Sequence, residues 1–176
     1  MNRDDHLRPR RHTGLLAATA AVALTFACTD GGIEQPTPAA SAARQAEVAE
    51  RGSSVMPFDL DRTTHHFAKT DTGGVQSVTA DNPADATQVE LVQQHLQQEA
   101  ERFRRGDFAD PARIHGGDMP GLAALRGSAG KISVDYAATA DGARITYATG
   151  DSVLVTALHS WFDAQVSDHG AHATDK

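Results

Sequence analysis

Twice along the chain, a stretch that alternates apolar and polar residues around a glycine turn runs directly into a segment with helical apolar spacing. The first, "THHFAKTDTGGVQSVTA", has β-type composition and turns at Gly73-Gly74. It leads into "DNPADATQVELVQQHLQQEAERFRRGD", where Asn82 can cap a helix and Pro83 suits its first position. Val89, Val92, Leu96, Ala100 and Phe103 then share one face, and Gly106 ends the segment. The second, "KISVDYAATADGARITYATG", places Ile132, Val134 and Tyr136 on one face, turns at Asp141-Gly142, and returns with Ile145 and Tyr147. It leads into "DSVLVTALHSWFDAQVSDHG", with Asp151 as cap and Val155, Leu158, Trp161, Phe162 and Val166 as the apolar side. Each half has one apolar sheet face and one apolar helix stripe, and neither can bury both alone. The expected fold is therefore a two-layer α+β domain over residues 55–169. Its two ββα units join into a four-stranded antiparallel sheet packed against two helices. The halves align along the helix, Val89 with Val153 and His95 with His159, a match that either an ancient duplication or coincidence explains.

The amino terminus concerns location rather than fold. Arg3, Arg8, Arg10 and Arg11 precede "GLLAATAAVALTFA", an apolar run too short to span a bilayer. Residues 1–27 thus read as a secretory signal peptide. The only cysteine, Cys28, closes "LTFAC", which is similar to a bacterial lipobox; Ala27 fits, whereas Thr25 and Phe26 depart from the usual residues. Lipidation of Cys28 would anchor the exported chain to a lipid bilayer at the cell envelope and explain a lone cysteine without a disulfide partner. The alternative is ordinary cleavage nearby and a free thiol. Residues 28–54 are small and polar, with little to bury, and read as a disordered tether in which "AASAARQAEVAE" forms a helix only transiently. Residues 170–176 read as a flexible tail. Of 16 basic and 23 acidic residues, four arginines and two aspartates lie in the leader, so the remainder carries a net charge of −9. That balance argues against nucleic acid and anionic headgroups as partners and suits cations.

Between the halves, "FADPARIHGGDMPGLAALRGSAG" is broken by Pro111, Gly116, Gly117, Pro120 and Gly121 and reads as a loop. A short helix is expected from Pro120, with Asp118 or Met119 capping and Gly127 or Gly130 ending it. Loops held on a rigid scaffold often carry function, which makes His115 and Met119 candidates.

Together "TTHHF", "DNPAD", "GDFADPARIHGGDMPG", "DGARITY" and "ALHSWFDAQVSDHG" give residues 55–169 a combination that resembles a family of small uncharacterised exported bacterial proteins. Members of that family are sometimes labelled aspartate carbamoyltransferase. This chain has no Ser-Thr-Arg-Thr type signature for carbamoyl phosphate and is too short for two α/β domains, so the label does not fit it.

Histidines carry the remaining chemistry. Neutral imidazole is the commonest side-chain ligand for zinc or copper, and Met119 would add a thioether suited to Cu(I). His65, His66, His115 and Met119 are the candidate metal ligands, with His95 and His159 behind them. No spacing is diagnostic of a metal motif. Adjacent strand residues point to opposite faces, so His65 looks at the core with Phe67 while His66 looks away. His65 is then a ligand or a core-edge histidine bonded to backbone, and His66 a ligand or a solvated residue. His95 and His159 flank their helix stripes, with Glu99 and Asp163 beside them as surface charges. His169 and His172 belong to the tail. Asp107, Asp110 or Asp118 near His115 allows acid/base work. Three functions follow: a tethered, non-catalytic binding module for a transition metal or small ligand; an envelope interaction lipoprotein with incidental histidines; or a small enzyme using His115 and a carboxylate.

Overall fold

A computed structural model describes residues 37–175; the leader, Cys28 and the start of the tether lie outside the described residues. Both expected hairpins and both expected helices form, but the tight turns are Asp71-Thr72 and Ala140-Asp141, because Gly73 and Gly142 already pair in their strands opposite Thr70 and Thr139. Strand β1 (Thr63–Thr70) pairs antiparallel with β2 (Gly73–Ala80), and β3 (Ser133–Thr139) with β4 (Gly142–Ala148). Helix α2 (Ala86–Arg104) follows the first hairpin and α5 (Ser152–His169) the second. Asp151 caps α5 by accepting from the Val153 amide. Helix α2 starts later than the Asn82-Pro83 signal suggests. Asn82 instead makes a local turn by accepting from Ala84, and Asp85 is the cap, accepting from Gln88.

The two hairpins join through β2 and β4, with Val78 opposite Ala143. Here Gly142 allows a close approach, since a Cβ on it would stand 2.0 Å from the Val78 carbonyl oxygen. Strand order is β3-β4-β2-β1-β5, and β5 (Ala173–Thr174) lies parallel to β1 with Ala173 opposite His65. The sheet is therefore five-stranded and mixed, not four-stranded and antiparallel. The fifth strand comes from residues expected as a tail, which cover backbone groups that β1 would otherwise leave open at the sheet edge.

One sheet face is apolar, with Phe67, Val78, Val134, Ile145 and Tyr147 buried on it. Helix α2 covers mainly β3 and β4, and α5 covers β1 and β2. Trp161 is fully buried among Phe103, Phe108, Tyr147 and Phe162, with ring centroids 5.6–5.9 Å away. The other sheet face carries Thr64, His66, Ser77 and Arg144, none of them buried.

Two further segments depart from expectation. Residues 38–53, read as part of a tether, form helix α1 (Pro38–Ser53), capped by Thr37 and packed on α5. Its partner face is too small to stand out in sequence: Val48 is buried, and Gly52 lies close under Leu60. Polar bonds complete the docking, as Arg51 donates to the Ile114 carbonyl and Arg44 to the His115 carbonyl. The region between the halves contains α3 (Ala109–His115) and α4 (Leu122–Arg126) rather than a loop with one short helix. Pro111 is tolerated because it lies in the first turn of α3. Helix α4 begins two residues beyond Pro120, after Gly121 at φ 77°, where a Cβ would stand 2.0 Å from the Ala157 carbonyl oxygen. Gly127 closes α4 as expected.

Candidate functional site: a buried histidine cavity

Four elements deliver imidazoles to one place. The pleat of β1 turns His65 inward, α2 brings His95 and, one turn on, Glu99, α3 ends on His115, and α5 ends on His169. Together with Gln76 and Trp161 they line a cavity of about 30 Å³ under the sheet, room for an ion or a water-sized ligand. The rings of His65 and His169 stack, with centroids 4.9 Å apart and planes within 6°. His115 meets His169 edge-on, at 4.9 Å and 78°. His95 sits edge-on to Phe58 at 5.6 Å.

His115 is the best-positioned of the set. Its Nδ1 lies 2.9 Å from Asp168 Oδ2, and Asp168 is gripped by Arg44 of α1, with Nη2 at 2.7 Å and Nε at 3.1 Å. Burial works against the charge on Asp168, but the hydrogen bonds from His115 and Arg44 overcome it and hold its carboxyl down to about 2. An ionised Asp168 makes Nδ1 the donor and leaves Nε2 as the basic nitrogen, the arrangement in which a carboxylate orients a metal-binding or proton-accepting histidine.

The remaining groups are held neutral. Burial first, and then the neighbouring His95 and His115, push His65 down to about 4; burial likewise takes His95 to about 4. Burial and the adjoining His65 and His115 hold His169 well below its ordinary value. Burial and then Asp110 push Glu99 up to about 8, so that it carries its proton at neutral pH. Two buried polar atoms at the cavity have no hydrogen-bond partner among the described residues, His65 Nδ1 and Trp161 Nε1. Such groups are costly to leave unmet, and both residues line the same small space.

The candidate residues divide accordingly. His65 and His115 come together in the cavity, joined by His95, which the sequence pattern left at the edge of a helix stripe. His66 points to the opposite sheet face, as strand geometry requires, and does not line the cavity. Met119 is buried in the core and meets His115 only at a separate outer recess of about 580 Å³. His159 has a structural role: its Nε2 lies 3.0 Å from the Thr70 carbonyl and 2.9 Å from that of Gly73, fastening the β1–β2 turn to α5. Asp110 pairs with Arg102 rather than with His115, and Asp163 is exposed and pairs with Lys69.

His169, Glu99 and Asp168 were not candidates on sequence grounds. Leu158, Phe162, Gln165 and His169 recur at helical spacing, so the inward stripe of α5 does extend to its last residue. Glu99 continues the line of Val92 and His95 in the same way. The Asp168 contact spans 53 residues, and local spacing carries no sign of it.

The donor chemistry suits a transition-metal ion, with one geometric condition. Imidazole lone pairs lie in the ring plane, so the parallel rings of His65 and His169 direct theirs along separate planes. One of the two must turn before both can reach a single ion at the usual distance of about 2.0–2.1 Å. Accordingly, no three His, Cys, Asp or Glu groups among the described residues already stand where they could share an ion. Of the two, His169 is the less enclosed, since it also borders an outer pocket while His65 is buried.

No protein family, curated protein or solved structure matches the chain.

Proposed function

We propose that this chain is an exported, envelope-tethered binding module that takes a transition-metal ion, copper or zinc, into the imidazole cavity without catalysing a reaction. The observation that carries the reading is the state of His115 and His65. His115 is buried and oriented through Nδ1 by a clamped carboxylate, and it shares a small cavity with His65, whose Nδ1 is unpartnered. Neutral imidazole is the form that binds metals, and burial keeps His65, His95 and His169 in that form at neutral pH. His65, His115 and His169 supply the nitrogens, and His66 and Met119 are left out. Lipidation of Cys28 would supply the tether. Metal analysis of tag-free protein tests the reading: wild type and His66→Ala retain one equivalent, and His65→Ala and His115→Ala lose it. Metal-free wild-type protein whose melting temperature is unmoved by copper or zinc would refute it.

A second reading, a small acid–base enzyme, is favoured by the same His115–Asp168 pair, since His115 lines one cavity with a protonated Glu99. Turnover of a small substrate that is abolished by both His115→Gln and Glu99→Gln would establish it. Turnover surviving both replacements would rule it out.

A further inference from the structure

His169 belongs to two spaces at once. It lines the inner cavity, and from its other side it lines an outer pocket of about 260 Å³ between α1 and the carboxyl-terminal turn. His172 and Asp61 stand at the rim of that pocket, with Nε2 and Oδ1 3.7 Å apart and side chains 47% and 88% exposed. Asp168 also lines it, its carboxylate already held by Arg44 and His115. Among the described residues that line this pocket there is no lysine or arginine. The imidazoles thus form a graded series from the surface inward: His172, then His169, then His65 and His115, the inner steps being 4.9 Å between ring centroids.

A second approach to the cavity is chemically different, and a third, the outer recess at His115, has Arg44 on its wall. His95, Glu99 and Asp110 line both the cavity and a second outer pocket, but Arg102 lies across the two carboxyl groups, with Nη1 3.4 Å from Glu99 and an ion pair to Asp110. A cation approaching there meets a guanidinium paired with both carboxyl groups, with the His95 imidazole beside them. At the His172 side it meets the exposed Asp61 carboxylate and the imidazoles of His172 and His169, with no guanidinium among the described residues of the pocket wall, and these can replace its water one ligand at a time.

We propose that the outer pocket is the mouth of the imidazole cavity, where His172 and Asp61 capture a divalent transition-metal cation and His169 turns to pass it inward to His65 and His115. This rests on the reading of the cavity as a metal site. It adds that the rim residues govern how fast the ion arrives and not how tightly it is finally held.

Trp161, the single tryptophan of the chain, lines the inner cavity and reports arrival there through quenching by Cu(II). Cu(II) is mixed with tag-free protein in a stopped-flow fluorimeter. His172→Ala combined with Asp61→Asn, both exposed positions, is expected to slow quenching about tenfold with an unchanged final amplitude and unchanged equilibrium affinity. Three results overturn the proposal: an unchanged rate, a lost amplitude that would make the rim residues ligands, or a rate that responds to Arg102→Gln and not to the rim pair. If wild-type protein shows neither quenching nor a melting shift with Cu(II), the metal reading itself fails. If it is quenched through a different opening, only the route fails.

Discussion

Lowering the pH from 7 to 5 sets two opposing groups of the cavity against each other. His65 and His95 titrate near 4 when folded, against an ordinary 6.5. Between those values the unfolded chain binds more protons, so their contribution is fully present above 6.5 and is lost as pH falls toward 4. Integrated from pH 7 to 5, the loss is about 2 kcal/mol for each histidine. Glu99 acts in the other direction, titrating near 8 when folded against an ordinary 4.5. Its contribution is fully present below 4.5 and is lost as pH rises through 8, so the same acidification gains about 2–3 kcal/mol. Glu99 therefore masks part of the acid sensitivity that the buried histidines create. In Glu99→Gln the fall in unfolding free energy between pH 7 and 5 should exceed that of wild type by about 2–3 kcal/mol. In His95→Gln it should be smaller than in wild type by about 2 kcal/mol. His169, also held neutral by burial, adds an acid loss of the same sign to all three proteins and leaves these differences intact. Urea unfolding followed by Trp161 fluorescence at both pH values measures them, with a common m-value confirming a common native state. Parallel pH profiles for wild type and the two variants would refute the placement of neutral imidazoles and a protonated carboxyl around one cavity.

Other perturbations read single contacts. Arg44→Ala leaves Asp168 half-buried with His115 as its remaining partner; we expect a loss on the order of 2–3 kcal/mol and earlier proteolysis within residues 38–53, measured by limited digestion. His159→Ala frees the β1–β2 turn at a cost of about 1 kcal/mol in thermal unfolding and leaves metal binding unchanged. Gly142→Ala forces a Cβ against the Val78 carbonyl and should prevent the β2–β4 pairing, seen as loss of the cooperative melt.

What the sequence pattern revealed follows from how far apart the interacting residues lie. The hairpins and most of the faces of α2 and α5 are written in local periodicity, although α5 turns Leu154, Ala157 and Gln165 inward in place of Val155 and Val166; the opposed directions of His65 and His66 follow from strand geometry alone. Helix α1 leaves no mark in the local pattern because its docking depends on Val48, Gly52 and two arginines that bond carbonyls more than 60 residues away. Strand β5 consists of two residues, too few for alternation to mark. The loop reading of residues 108–130 gave weight to its prolines and glycines, although Pro111 sits where a first helical turn accepts it and Gly116 and Gly121 border the short helices. Within the site, His65 and His115 were visible as inward or loop histidines. Their meeting through His169 depends on the final residue of α5, at the border of residues 170–176 expected as a tail.

The most direct measurement is the stoichiometry and affinity of copper or zinc binding to tag-free protein by competition with a chromophoric chelator. Wild type should bind one ion per chain, His66→Ala and Met119→Leu should match it, and His115→Ala and His65→Ala should each lose it. Binding that is equal in all five proteins, or absent from wild type, would contradict the account.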